Sequence, residues 1–309
     1  MKIAVFGTGG VGGYFGARLA AAGNDVTFIA RGKHLAAIRA NGLRVTSANG
    51  DIMIKPAKAT DDPASIGRVD VAMLCVKLWD LEQGAAACRP LVAGGGYVIP
   101  FQNGVDAIQR AGAVLGAGKV VGGVAYIAAI IGEPGVIRHT GTMARLAFGE
   151  ADGLVSPRVE KFLGVCGKAG IDAEVPAHVA VAQWRKFALL AATSGWTSLT
   201  RQPMGVIRAD PEMRSCLRNA IAEVVAVGRA GGVELELKEI DGTLALIDKL
   251  PAEMKTSMQQ DLERGNRLEL PWLSGAVARL GRAAGVPTPT HDLIAAALKP
   301  YVNGSAAAA

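Results

Sequence analysis

Six residues near the start of the chain restrict its fold more than anything else in it. Lys2-Ile3-Ala4-Val5-Phe6 reads as a buried strand and runs directly into Gly7-Thr8-Gly9-Gly10-Val11-Gly12, after which Ala17, Leu19, Ala20 and Ala21 continue as a helix. A G-x-G-x-x-G hexapeptide between strand and helix has a mechanical reading. Gly7 allows the tight turn, Gly9 lets backbone approach a pyrophosphate, Gly12 lets helix and strand pack closely, and the helix N-terminus faces the phosphates. The expectation is a dinucleotide-binding fold, with Gly7, Thr8, Gly9, Gly10, Val11 and Gly12 at the cofactor.

The chain's 309 residues exceed one ordinary core of about 100–200, so two domains are expected. The first half alternates β-branched runs with Ala/Leu-rich segments, the pattern of a parallel sheet joined by covering helices. Candidate strands are Lys2–Phe6, Asp25–Ala30, Val69–Val76, Tyr97–Pro100 and Val120–Ile130. Leu43–Ser47 and Asp51–Ile54 flank Ala48-Asn49-Gly50 and read as a small hairpin in a crossover, while Val136–His139 and Ala144–Phe148 read as a later antiparallel addition. After Pro176 the strand-like runs stop, and Ala177–Thr200, Pro211–Gly231, Leu237–Ile247, Ala252–Glu263 and Trp272–Ala284 read as helices. The fold class expected is therefore α/β: a Rossmann-type dinucleotide-binding domain over residues 1–175, then an all-helical domain over 176–309 for substrate and dimerisation. Gly304–Ala309 reads as a frayed tail.

Composition removes several function classes. With 50% hydrophobic and 19% charged residues the chain is not disordered, and its net charge of +6 is scattered, which suits small anionic ligands rather than nucleic acid. Cys75, Cys88, Cys166 and Cys216 form no CxxC, and His34, His139, His178 and His291 have no ligand spacing, so a reducing cytoplasm and no metal site are expected. Lys2 before an apolar stretch and Ala20-Ala21-Ala22 mimic a secretory signal, but the glycines at 7, 9, 10, 12, 13 and 16 break its apolar region. No membrane partner is expected. Gly116-Ala117-Gly118-Lys119-Val120 is not a P-loop, because the earlier glycine is missing and Val120 stands where Ser or Thr is needed.

The second strand ends where NAD-binding versions of this fold carry an acid, about 20 residues past the glycines. Here that place holds Arg31, followed by Gly32-Lys33-His34. A guanidinium suits a ribose 2′-phosphate, so the expected cofactor is NADP(H). An exposed loop arginine is the plainer alternative for Arg31, but the missing acid argues the same way.

With these features, the chain resembles the ketopantoate reductase family (2-dehydropantoate 2-reductases) over nearly its whole length. The residues that carry the likeness are Gly7–Gly12 with Ala30-Arg31-Gly32, Cys75-Val76-Lys77, Gln102-Asn103-Gly104, Trp184-Arg185-Lys186-Phe187, Ser257-Met258-Gln259-Gln260-Asp261 with Glu269, and Gly285-Val286-Pro287-Thr288-Pro289. The resemblance implies hydride transfer from NADPH to C2 of a 2-oxo acid, with 2-dehydropantoate as the first named substrate and pantothenate biosynthesis as the setting. It implies Lys186 as general acid, since hydride addition makes an alkoxide that must be stabilised and protonated. It further implies Glu269 as its partner in the catalytic site, Lys77 and Asn103 at the cofactor, and Asn103 and Ser257 at the substrate.

Read from the residues alone, Lys186 is either a helix-surface lysine or, given its flanks Trp184, Phe187, Leu189 and Leu190, part of a largely buried helix; Asn103 is either a turn former or a ligand contact in the loop after the fourth strand; and Ser257 and Glu269 are helix caps. On one straight helix Ser257 and Glu269 would stand about 18 Å apart, but Gly265-Asn266 and Pro271 let the chain fold back between them. The sequence departs from the pantothenate-type pattern at two positions. Leu190 and Ser194, on the Lys186 face at i+4 and i+8, replace two substrate-contacting asparagines, with Thr193 and Thr197 as candidates to compensate. This leaves open a same-family reductase for a less polar 2-oxo or 2-hydroxy acid, and a protein that binds NADP(H) without turnover. A homodimer is also left open.

Overall fold

The structure is a computed structural model that describes residues 1–304; of the Gly304–Ala309 tail, residues 305–309 lie outside the described part. The chain forms two compact units, one of Met1–Gln102 with Asp106–Val179, the other of Asn103–Val105 with the residues from Ala180 onward.

In the first unit the strands are β1 (Lys2–Phe6), β2 (Asp25–Ile29), β3 (Leu43–Thr46), β4 (Ile52–Ile54), β5 (Ala59–Thr60), β6 (Val71–Leu74), β7 (Tyr97–Pro100), β8 (Gly122–Glu133), β9 (Val136–Gly149) and β10 (Asp172–Glu174). The helices are α1 (Gly10–Ala21), α2 (Gly32–Asn41), α3 (Leu81–Val92), α4 (Ala107–Leu115) and α5 (Pro157–Lys168). One sheet has the order β5-β2-β1-β6-β7 with every pair parallel. Its strands alternate between two cores: Ile3 and Val5 join Phe15, Leu19 and Phe28, while Ala4 and Phe6 join Leu74, Leu81 and Cys88. A sheet covered on both faces is what the near-continuous apolar runs of β1 and β6 require.

Several elements differ from their sequence-based bounds. The run expected over Val69–Val76 is a strand only at Val71–Leu74. The Val120–Ile130 strand begins at Gly122 and leaves the parallel sheet: only an isolated bridge joins Val120 to Val98, and β8 runs antiparallel to β9 in a second sheet. That sheet has the order β10-β9-β3-β4. The Leu43–Ile54 hairpin forms with Leu43 opposite Ile54, and its first strand also pairs with β9, so it builds the second sheet. Val136–His139 and Ala144–Phe148 belong to one strand. Between them Thr140–Met143 bulge out as the register steps from Ile127↔Ala144 to Ala129↔His139, held by His139 Nε2 on the Met143 carbonyl at 3.0 Å and by Asn49 Nδ2 on that of Thr142 at 2.8 Å.

The second unit has helices and no strand among its described residues: α6 (Val179–Thr200), α7 (Met204–Ala209), α8 (Pro211–Ala230), α9 (Lys238–Asp248), α10 (Ser257–Glu263), α11 (Ser274–Ala284) and α12 (Pro289–Leu298). Its core gathers Phe187, Leu217, Ile221, Val224, Val277 and Ile294. The helix expected from Ala252 starts at Ser257, because the Thr256 hydroxyl caps it by accepting from Gln259 N. The one expected from Trp272 is a 3-10 turn at Leu270–Trp272 followed by α11. Buried Glu223 caps α12 from α8, accepting the backbone N–H groups of Thr290 and His291 at 2.8 and 3.0 Å. Among the described residues no helix is long and apolar enough to cross a membrane, and no cluster of three His, Cys, Asp or Glu side chains is placed to hold a metal ion.

Candidate active site

The glycine loop follows β1 and leads into α1. Gly7 has φ +100, and a Cβ there would lie 2.8 Å from the backbone carbon of Cys75. A Cβ on Gly12 would fall 2.3 Å from the Gly7 carbonyl oxygen and 2.8 Å from Val5 Cγ1, so helix and strand are in contact through this hydrogen. Beside Gly9, by contrast, nothing lies within 4 Å of a Cβ position. Gly9 is the N-cap of α1 with no side-chain cap, and the first turn carries no acidic residue. The helix start is thus uncapped, with open space beside Gly9, which fits an anionic diphosphate.

The loop is tied to the end of β2. The Ile29 carbonyl accepts Gly7 N at 3.2 Å, Thr8 N at 3.1 Å and the Thr8 hydroxyl at 2.9 Å. Two residues on, exposed Arg31 is the N-cap residue of α2, again without a side-chain cap. No acid stands within that first turn either, so the residues present fit a phosphorylated ribose.

Lys77 is exposed at the start of the 3-10 turn Leu78–Asp80, its Nζ 5.5 Å from the Trp79 ring centroid. Gln102, which sequence reasoning used only as part of a motif, is a brace: its Nε2 donates to the carbonyls of Leu74 at 3.0 Å and Val76 at 3.1 Å. It ties the loop after β7 to the loop after β6. A glutamine directly before Asn-Gly at a strand end was the signal available for it.

In the second unit three expected residues meet. Lys186, half-buried on α6, donates from Nζ to Asn103 Oδ1 at 2.9 Å. Asn103 Nδ2 donates in turn to Oε2 of buried Glu269 at 3.4 Å. Because the amide gives its N–H to the carboxylate, its oxygen faces the ammonium, and both ends of Asn103 are fixed. Burial lowers the Lys186 pKa from 10.5 to about 8, against Glu269, whose charge raises it. Glu269 reaches Asn103 because the chain does fold back: Gly265, at φ +69, ends α10, and Leu268 N bonds to the Val302 carbonyl.

Ser257 is not part of this group. It is the first residue of α10 and exposed, and no hydrogen bond among the described residues joins it to Lys186, Asn103 or Glu269. Leu190 is half-buried and Ser194 buried, one and two turns along α6 from Lys186. The hydroxyl protons of Thr193 and Thr197 are engaged by backbone carbonyls. The Thr193 hydroxyl donates to the Leu189 carbonyl at 2.7 Å, and that of Thr197 bonds the Thr193 carbonyl and Thr256 Oγ1, each at 2.8 Å.

Two family models match the chain: ketopantoate reductase PanE/ApbA over residues 3–153 and the ketopantoate reductase PanE/ApbA C-terminal domain over residues 178–302. The sequence is 33% identical to the 2-dehydropantoate 2-reductase of Mesorhizobium japonicum over 97% of each chain. Among solved structures it is similar to the 2-dehydropantoate 2-reductase from Geobacter metallireducens, at TM-score 0.91 and 30% identity over 97% of this chain and 99% of that one. It is also similar to the PanE/ApbA family ketopantoate reductase from Ralstonia eutropha JMP134, at TM-score 0.89 and 30% identity over 98% of both. With a glycine loop built for a dinucleotide, a helical second unit and matches spanning both halves, the chain belongs to the ketopantoate reductase family of NAD(P)-dependent oxidoreductases.

Proposed function

We propose that the protein reduces a 2-oxo acid at C2 with NADPH, and that ketopantoate, giving pantoate, is a substrate. The observation that carries this reading is the Asn103-bridged approach of Lys186 and Glu269. The names of the full-length relatives support the choice of substrate. Bound nicotinamide would supply the hydride. Lys186, with its pKa near 8, is mainly protonated at neutral pH yet acidic enough to give its proton to a developing alkoxide. Asn103 aims the ammonium, and Glu269 fixes the amide and keeps the lysine charged. The glycine loop, Arg31 and Lys77 are assigned to the cofactor. Four free cysteines suit a reducing cytoplasm. The direct test is NADPH oxidation across a panel of 2-oxo acids including ketopantoate; cofactor binding without turnover of any member would sink the assignment.

Arg31 bears on the choice of cofactor. NADPH is expected to surpass NADH in kcat/KM, and Arg31→Ala should narrow the ratio roughly ten- to a hundredfold, the scale of one or two charge-assisted hydrogen bonds. Equal use of NADH by the unaltered protein would contradict it.

A second reading, a less polar 2-oxo acid as the better substrate, is favoured by Leu190 and by the engaged hydroxyls of Thr193 and Thr197. A site lacking amides for the substrate hydroxyl discriminates weakly against analogues without it. On this reading 2-oxoisovalerate is reduced comparably to ketopantoate, and Leu190→Asn shifts the kcat/KM ratio toward ketopantoate by roughly tenfold. A thousandfold preference for ketopantoate in the unaltered protein would refute it.

A further inference from the structure

The imidazole of His34 connects two parts of the first unit that the sequence places far apart. Gly135, in the turn between β8 and β9, donates its backbone N–H to His34 Nδ1 at 3.0 Å, and His34 Nε2 lies 2.8 Å from the carbonyl oxygen of Thr8. The first bond settles the tautomer. A nitrogen that accepts carries no proton, so in the neutral ring the proton is on Nε2, which donates to Thr8. Burial lowers the pKa of this histidine below its usual 6.5, opposed by the bond to Thr8, so the ring is neutral at physiological pH.

The charged residues on the surrounding elements are Lys33 and Arg39 on its own helix with Arg31 just before it, Arg44 on β3, Glu133 on β8, and Arg138 and Arg145 on β9; none is hydrogen-bonded to the ring. The turn it grips is itself fixed, with Arg44 N donating to the Gly135 carbonyl at 2.9 Å and a Cβ on Gly135 lying 3.2 Å from that of Ala37.

We propose that His34 is a positioning residue for the dinucleotide loop, holding the Thr8–Gly9 peptide plane so that the Gly9 N–H points at the bound diphosphate. In a trans peptide the carbonyl of one residue and the N–H of the next lie in one plane and point opposite ways. Holding the Thr8 oxygen toward His34 therefore turns the Gly9 N–H away from it, on the residue whose Cβ position faces open space. Thr8 N and Oγ1, both on the Ile29 carbonyl, fix the other side of this residue and leave the Thr8–Gly9 plane to the histidine.

The proposal rests on the nicotinamide-dinucleotide reading, and its test separates the two. Dissociation constants for NADPH and NADH are measured by fluorescence for the unaltered protein, His34→Phe and His34→Gln, and the imidazole tautomer is read by 15N NMR on the cofactor-free chain. Expected are an Nε2–H tautomer, a rise of about five- to tenfold in both constants for His34→Phe with kcat within a factor of two, and recovery in His34→Gln, whose amide can donate to Thr8. An effect on NADPH alone would mean that the ring meets the 2′-phosphate and would overturn the proposal. Unchanged constants in His34→Phe, or an Nδ1–H tautomer, would overturn it as well. Should His34→Phe not fold, a His34→Gln chain that binds both nucleotides several-fold less tightly than the unaltered protein counts against it, and one that binds them equally well, with the Nε2–H tautomer in the parent, supports it. A parent chain that binds neither nucleotide overturns the reading beneath the proposal, whatever the tautomer.

Discussion

Lys186→Met is expected to lower kcat by roughly two to four orders of magnitude, the usual scale for a lost general acid, while NADPH still binds and the folded protein becomes more stable. The opposite signs have one cause. The lysine's pKa is about 8 in the folded chain against 10.5 in its absence, so at neutral pH the fold holds a charge that its surroundings disfavour. The difference corresponds to at most about 3 kcal/mol. Methionine removes that cost but strips Asn103 Oδ1 of its donor, a loss of about 1 kcal/mol, leaving a net gain of about 1–2 kcal/mol. The gain depends on pH. Between pH 8 and 10.5 the unfolded chain holds the proton and the folded chain does not, so the stability of the unaltered protein rises with pH in that window. The advantage of Lys186→Met is therefore full below pH 8 and gone above 10.5. Urea titrations at pH 7 and pH 10 measure it, and the rate of the unaltered reductase should fall as pH rises through about 8. Wild-type turnover in the methionine variant would remove Lys186 from the mechanism.

Gly10→Ala and Gly9→Ala, adjacent in sequence, are expected to fail in different ways. A Cβ on Gly10 would lie 1.9 Å from the carbonyl oxygen of Ala129 and 2.4 Å from its carbon. Both are backbone atoms of β8, held in the ladder by the pairing of Ala129 with His139. No rotamer change can relieve the overlap, so α1 or β8 must move, at a cost of about 3 kcal/mol or more. Gly10→Ala should unfold at markedly lower denaturant or accumulate as insoluble protein. Gly9 adopts φ −83 and ψ −158, which alanine tolerates, and its Cβ would meet nothing in the protein. Gly9→Ala should therefore keep near-normal stability and lose cofactor affinity by roughly tenfold or more, on the reading that backbone approaches the pyrophosphate here. Equal stability of the two variants would contradict this account.

How far the chain could be read in advance depended on how local each determinant was. β1 and β7 were legible to the residue, because apolar runs between glycine or polar turns leave few alternatives to a buried strand. The fate of β8 was not, since nothing in Gly122–Ile130 distinguishes pairing with β7 from pairing with a strand still to come. The start of α10 depended on one hydroxyl, Thr256, and an alanine-containing segment before it looked equally helical. In the site, Lys186, Asn103 and Glu269 were named from a family likeness, and their meeting required a chain reversal at Gly265 that turn chemistry did signal. Gln102 carried only the weak signal of its place before Asn-Gly, and His34 none, because each acts on backbone groups whose direction the sequence does not show.

The three residues Asn103–Val105 pack with the helical unit although the chain on both sides of them belongs to the other. The partner of the proposed general acid is thus encoded some eighty residues upstream of it, inside the gene segment for the nucleotide-binding half. A cut near residue 180 yields a helical fragment in which Lys186 and Glu269 have lost the amide that bridges them. Recombination at that boundary would carry the lysine and the glutamate into a new protein and leave the asparagine behind. A functional transfer of the helices to a chain without that asparagine has to bring the loop after β7 along, so the portable module is discontinuous in the gene.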